Sequence, residues 1–421
     1  MSIAENSKLR AERAVAHCQE LATFSEDHGS TRRTFLSTPM RGCHHKITQW
    51  LSAAGANAYV DAAGNLRGVY PAAHAQAPCL LIGSHLDTVP NAGAYDGVLG
   101  VVLALTLLEC LEKKKLPFAI EVVGFSEEEG GRFGVPFIGS RALVGTVDEE
   151  LLALEDAHRI SVRTAIENFG LDPAEIPRAA LTNDAVAFLE FHIEQGPVLE
   201  ATNNPLGVVE AIAGQTRMEF VFLGSANHAG TTPMHLRKDA LAAAAEWITA
   251  VERTANSDPG LVATVCRMTA SPGAANVIAG EVRANLDVRH KSDDVRSHAV
   301  SAFVESAKEI AARRGLSLRQ STLFDQNAVA MDTSLVYQVE EAIRRTGCHP
   351  HRMVSGAGHD AMILAQRVPA AMIFLRTPRG ISHDPRETVE IDDVAKAIEC
   401  GQHLLDQLAS SNHLQKRKCR A

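Results

Sequence analysis

The stretch CLLIGSHLDTVPNAGAYDGVLG, residues 79–100, runs from an apolar segment through a glycine-rich turn into the start of a helical pattern. Its first residues read as a buried strand, and the helix is predicted from about Val98 to Lys114. The same alternation returns downstream. AIEVVGFS is a strand followed by a helical segment, and AVAFLEFHIE is another strand after the charged helical stretch DEELLALEDAHRISVRTAIENFG. Strands alternating with helices predict βαβ units and a mainly parallel sheet. Residues 8–22 and 45–54 read as amphipathic helices.

Beyond Glu210 the pattern changes. TRMEFVFLG, LVATVCRMTA, EVRANLDVRH and SLRQSTLF read as four strands, with helices near 237–254 and 293–314. The order βαββαβ predicts a small ferredoxin-like α+β layer of about 115 residues. AAMIFLRT and VEIDDVAKAIECGQHLLDQLA then resume the first pattern. The expected organisation is therefore a mainly parallel α/β domain made of 1–211 and 327–421, with 212–326 inserted into it.

At 421 residues the chain is long enough for two or three compact units. Its composition, 46% hydrophobic and 22% charged, is that of a soluble globular protein. The net charge of −9 argues against a nucleic-acid binder. No apolar run approaches bilayer-spanning length, and the charged start does not read as a signal peptide. Eight scattered cysteines without a C-x-x-C pair suggest reduced thiols and a cytoplasmic setting. The basic tail HLQKRKCRA reads as a solvated terminus.

The chemistry gathers at predicted strand ends. His85 and Asp87 are two apart, so on an extended segment they face the same way, and a carboxylate there can hold one ring nitrogen while the other binds a metal. Alone, the pair is more often a polar strand end with no metal. Asp96, before Gly97, is either a helix N-cap or a carboxylate able to bridge two cations. The three glutamates of GFSEEEGGRFG repel one another unless a cation or shared proton compensates, or unless they form a solvated loop. One of them can ligate metal while its neighbour takes a proton from water. His192 and His383 also follow apolar runs, and singly each reads as a structural histidine. Together His85, Asp96, Glu129, His192 and His383 all fall beyond strand carboxyl ends, where open α/β sheets place their sites. Histidine and carboxylate ligands suit Zn, Mn, Co or Ni.

These motifs, with ANHAGTTPM and GAGHDA, resemble the M20 metallohydrolase superfamily, in family order from about residue 25 to 400. FHIEQGPVLE with HAGTTPM is most similar to its amidase branch, which holds allantoate amidohydrolase, N-carbamoyl-L-amino-acid hydrolase and β-ureidopropionase. The resemblance implies two divalent metal ions per subunit, held by His85, Glu129, His192 and His383, with Asp96 shared. It implies that Asp87 orients His85, that Glu128 is the general base, and that Glu127 stands outside the site. It also implies that the insert is a lid and dimerisation domain of a homodimer. There His228 and Asn276 match positions that would reach the neighbouring subunit's site and polarise the scissile carbonyl. Arg289 would hold the substrate carboxylate, with Gln195 and His359 as further polar contacts. Asp384, in SHDP, departs from relatives that carry Asn or Ser, and an extra carboxylate there would bear on metal preference.

The expected activity is removal of a terminal carbamoyl group from a small anionic ureido substrate. Gln215 and Arg217 in GQTRMEF resemble the allantoate branch, and alternation on an extended segment lets both face a second ureido arm. The expected reaction is allantoate to ureidoglycine, ammonia and carbon dioxide. N-carbamoyl amino acids or β-ureidopropionate are the alternative substrates. A peptidase or deacylase sharing the metal core, and a metal-free scaffold, are the remaining readings.

Overall fold

The computed structural model describes residues 3–410, so the tail HLQKRKCRA lies outside the described residues. Along the chain the strands are β1 (Asn57–Val60), β2 (Leu66–Tyr70), β3 (Cys79–His85), β4 (Ala119–Phe125), β5 (Ala185–Ile193), β6 (Leu206–Ile212), β7 (Gly214–Leu223), β8 (Val262–Ser271), β9 (Glu281–His290), β10 (Ser317–Gln326), β11 (Val329–Ala330), β12 (His351–Ser355) and β13 (Ala370–Leu375). Two compact units form. The first takes the described residues up to Glu210, then Met331–Met353 and those from Gly358 on. The second takes Ala211–Ala330 and Val354–Ala357.

The first unit is built on a mixed sheet in the order β1-β2-β4-β3-β5-β13-β6. Its centre is parallel, β4 beside β3, β3 beside β5 and β5 beside β13, while β1, β2 and β6 run antiparallel to their neighbours. Every residue of β3, β5 and β13 is buried, as expected for strands covered on both faces. Helix Val98–Cys110 packs on β3, β4 and β5 and against helices Ile3–Ala22 and Ile391–Ser410. Covered on all sides, it is apolar around its whole circumference, and Val98 to Leu108 are buried without exception.

Several local readings differ from the structure: the first helix begins at Ile3, not 8, and the helix expected over 98–114 ends at Cys110. The second helix begins at Thr38, not 45, because Pro39 fits a first helical turn, where no amide donor is required. The charged stretch after Val147 is two short helices, Glu149–Leu152 and Val162–Asn168. Between them the Asp156 carboxylate accepts the amides of His158 and Ile160, and Ser161 caps the second helix. These side chains compete with the helical ladder for the backbone donors. The β1–β2 hairpin was not anticipated; its strands are short and only β2 is mostly buried.

The second unit has the order β10-β7-β9-β8, antiparallel throughout. Helices Ala240–Ser257 and Asp293–Arg313 cover one face, burying Phe220, Phe222, Trp247, Val282, Leu286 and Phe303. The expected βαββαβ order is present. Among the described residues no helix is long and apolar enough to cross a membrane.

Candidate metal centre

Parallel β3, β4, β5 and β13 lie side by side, so their carboxyl ends share one edge of the sheet. His85 closes β3, the three glutamates follow β4, and His192 is the penultimate residue of β5. His383 lies on the loop after β13, at φ 56°. Asp96 arrives from the turn before helix Val98–Cys110. Gly97 makes that turn at φ 66°, and a Cβ there would lie 2.4 Å from His85 Nε2, so this approach requires glycine.

The Asp96 carboxylate divides its oxygens. Oδ1 lies 3.2 Å from His192 Nε2 and 3.5 Å from His85 Nε2, and Oδ2 lies 3.1 Å from His383 Nε2. Two groups with ligand atoms within 4.8 Å of one another result: His85, Asp96 and His192, and Asp96, Glu129 and His383. A third combines His85, Glu128 and Glu129. The histidine Nδ1 atoms face backbone carbonyls, His85 that of Asp87 and His192 that of Ile193, both at 2.9 Å. Each ring thus donates from Nδ1 to a carbonyl and turns its Nε2 inward toward Asp96, the orientation a ligating imidazole needs. The two Nε2 atoms are 3.3 Å apart, and Asp96 Oδ1 is buried without a hydrogen-bond partner. Electron-pair donors converging in this way fit a bound cation.

The Asp87 carboxylate does not orient His85 directly. It stands 3.9 Å from Nδ1, and the Asp87 carbonyl takes that role. The strand ends at His85, so the same-face relation of an extended pair does not extend to Asp87. Its carboxylate instead accepts the backbone amides of Glu128 and Glu129, each at 3.0 Å, and so fixes the loop that carries both glutamates.

The three glutamates separate in space. Glu127, at φ 50°, turns to the amides of Arg132 and Phe133 at 2.7 and 3.2 Å and belongs to none of the ligand groups. Burial and the neighbouring Asp87 push its carboxyl up to about 8. Burial raises Glu128 well above the carboxylate range, with Glu129 and Asp360 adding to the shift against His85. Burial likewise raises Glu129 to about 7, the nearby Asp96 adding to it against His85. Crowded carboxyls that retain protons are the groups a cation would discharge.

Among the supporting residues, Glu387, Ser382 and Glu190 were not singled out in the sequence. Glu387 accepts the amides of Tyr95 and Asp96 at 2.7 and 3.0 Å, clamping the backbone of the shared aspartate. Ser382 and Gln195 both donate to Asp96 Oδ2 at 2.9 Å. Buried Glu190 accepts the Ser84 hydroxyl and the Ala361 amide, tying β5 to β3 and to the His359 turn. His359 packs edge-on against His192 with ring centroids 4.5 Å apart, and burial, then the His192 charge, keep it neutral. Glu387 follows His383 within SHDPRE, so its motif was visible although its contact was not. Asp384 turns to Arg386, which grips both of its oxygens, at 2.8 and 2.9 Å.

In the second unit β7 and β9 pair so that Arg217 lies opposite Asp287 and Gln215 opposite Arg289. All four share one face of the sheet, and Thr216 turns the other way to Asp325. Asp287 accepts from Gln215, from Arg217 Nε at 2.9 Å and from Arg289 Nε and Nη2 at 2.8 and 3.1 Å. Arg289 also donates to the Gly356 carbonyl. His228 and Asn276 lie on exposed neighbouring loops, joined by the amide of Ala229 on the Asn276 carbonyl at 2.8 Å and by a bridge between His228 and Val277. His228 Nδ1 accepts the Gly230 amide at 3.0 Å, which leaves the ring proton on Nε2.

Residues 81–407 match the family described as Peptidase family M20/M25/M40. The N-carbamoyl-L-amino acid amidohydrolase of Geobacillus stearothermophilus is 37% identical over 405 residues, covering 95% of this chain and 99% of its own. The probable allantoate deiminase of Oryza sativa subsp. japonica is 35% identical, covering 96% and 89%. A crystal structure of an amidase of the hydantoinase/carbamoylase family from Burkholderia multivorans superposes with a TM-score of 0.90 at 31% identity, over 95% of this chain and 98% of that one.

Proposed function

The chain belongs to peptidase family M20/M25/M40, and on that premise we propose that it is a metal-dependent amidohydrolase that removes a terminal carbamoyl group from a small ureido acid, allantoate foremost. The observation that carries the reading is the buried Asp96 carboxylate, which presents one oxygen to His85 and His192 and the other to His383. We assign His85, His192, Glu129 and His383, with Asp96 shared, as ligands of two divalent ions, Zn or Mn, with Co or Ni also suited to the donor set. When bound, such ions supply Lewis acidity and acidify water.

Glu128 is the general base. It takes a proton from the attacking water and returns it to the leaving nitrogen as the carbamoyl C–N bond breaks. The released carbamic acid divides into ammonia and carbon dioxide, and allantoate leaves as ureidoglycine. The carboxyl is buried enough to hold the proton between those steps, and Asp87 fixes its backbone. His228, protonated at Nε2, suits donation to the developing oxyanion, with Asn276 beside it. Arg289 is assigned to the substrate carboxylate and Gln215 with Arg217 to the second ureido arm, while Gln195 and His359 line the metal centre. The second unit serves as lid and dimerisation domain, and the working form is a homodimer in which His228 and Asn276 serve the partner's site. The scattered, unpaired cysteine spacing supports a cytoplasmic setting.

N-carbamoyl-L-amino-acid hydrolysis is the second reading, favoured by the relative from Geobacillus stearothermophilus. The deciding experiment loads purified protein with Mn, Zn, Co or Ni and measures kcat/KM on allantoate, N-carbamoyl amino acids and β-ureidopropionate. Highest efficiency on allantoate supports the first reading, and turnover of carbamoyl amino acids alone overturns it.

A further inference from the structure

Asp287 lies beneath its donors. Its side chain is 12% exposed, while those of Arg217 and Arg289 are 53% and 29% exposed. A carboxylate covered by two guanidinium groups and a carboxamide stays ionised. Burial opposes this, and hydrogen bonds from Arg289 and Arg217 overcome it, holding the group below the usual carboxylate range. The three bonded ions therefore sum to one positive charge, where two arginines alone would present two. The contacts also set which donors face outward. Arg289 has its Nε and one Nη2 hydrogen on Asp287 and one Nη1 hydrogen on Gly356, leaving two of its five N–H groups for a ligand. Arg217 has its Nε occupied and keeps its terminal nitrogens, and its guanidinium stands 5.9 Å from the centre of the Phe324 ring.

We propose that Asp287 is a specificity-determining positioning residue that makes this patch a receptor for one carboxylate plus one neutral carbonyl-bearing arm, and so turns away dianions. The inference rests on the proposed function, which places the substrate's carboxylate and second arm at Arg289, Gln215 and Arg217. Allantoate fits the rule, with a single carboxylate and an uncharged ureido arm. A carbamoyl amino acid with an acidic side chain breaks it, because its second carboxylate would meet a patch whose second positive charge is already neutralised from below.

The test uses an isosteric pair, N-carbamoyl-L-asparagine and N-carbamoyl-L-aspartate, with allantoate as reference, on the metal-loaded full-length protein. Wild type is expected to favour the asparagine compound. Asp287→Asn keeps the shape and raises the patch charge by one, so the aspartate-to-asparagine ratio of kcat/KM should rise about five- to tenfold, the scale of one partly screened unit charge at a few ångströms. Arg217→Gln lowers the charge by one and should move the ratio the opposite way, with KM carrying most of both effects. A ratio unchanged in both variants, or displaced in the same direction by both, overturns the proposal, since a merely structural disturbance has no charge sign. If Asp287→Asn does not fold, Arg217→Gln decides alone, because its side chain is exposed, and an unchanged ratio there overturns the proposal. A wild type that hydrolyses none of the three ureido compounds refutes the functional reading instead.

Discussion

Replacing Glu387 by alanine should weaken metal binding by about 10–100-fold, the range found when the outer partners of metal ligands are removed. The carboxylate touches no other proposed ligand directly. It holds the amides of Tyr95 and Asp96 at 2.7 and 3.0 Å, and with them the direction in which Asp96 leaves the turn. A hydrogen bond to a charged group contributes about 1.5–3 kcal/mol, so the two bonds together bound the effect at roughly 3–6 kcal/mol. A 10–100-fold loss is about 1.4–2.7 kcal/mol, within that bound, because the glycines flanking the turn and the Asp96 contacts to Ser382 and Gln195 persist. Glu387→Gln keeps an acceptor oxygen and should bind metal more tightly than the alanine variant. Gly93→Ala approaches the same clamp from outside, since a Cβ there would lie 2.5 Å from the Glu387 Cβ. Calorimetric titration of metal-free protein with Mn or Zn reads the affinities, and elemental analysis reads the stoichiometry. Wild-type affinity in Glu387→Ala, with the fold intact, would refute the clamp.

Glu128→Gln should retain metal and lose about 10²–10⁴-fold in kcat, whereas Glu129→Gln should lose metal by elemental analysis. An inactive Glu127→Gln beside a normal Glu128→Gln would show the register of the three glutamates to be wrong. Gly97→Ala drives a Cβ into the His85 ring and forces alanine to φ 66°, so a drop in Tm together with metal loss is expected; an unchanged melting curve and full metal content would contradict the close approach. Mixing inactive His228→Ala and Glu128→Gln chains should restore partial activity if subunits share sites, and light scattering showing an active monomer would exclude it.

The sequence by itself determined the alternation of elements and the kinds of side chain at the strand ends. Periodicity is a local property, and apolar runs such as CLLI or AVAFLEF have little choice but a covered sheet. It also placed His85, Asp96, Glu129, His192 and His383 near strand carboxyl ends, which parallel strands bring to one edge, although His85 and His192 are themselves the last and penultimate residues of β3 and β5. Only the tertiary structure decided what those side chains do to one another. Asp87 turned from His85 to the Glu128–Glu129 backbone because β3 ends at His85, two residues short of Asp87, so the alternation that the pairing assumed does not hold. Glu387 and Glu190 are clamps whose partners lie 291 and 171 residues away, and no local pattern encodes a hydrogen bond to a distant amide. Nothing local marks Asp287; the β7–β9 register sets it opposite Arg217, with Arg289 two residues on along the same face. Side-chain type is written in the chain one residue at a time, whereas the direction of a carboxylate depends on which backbone donors the fold brings within 3 Å of it.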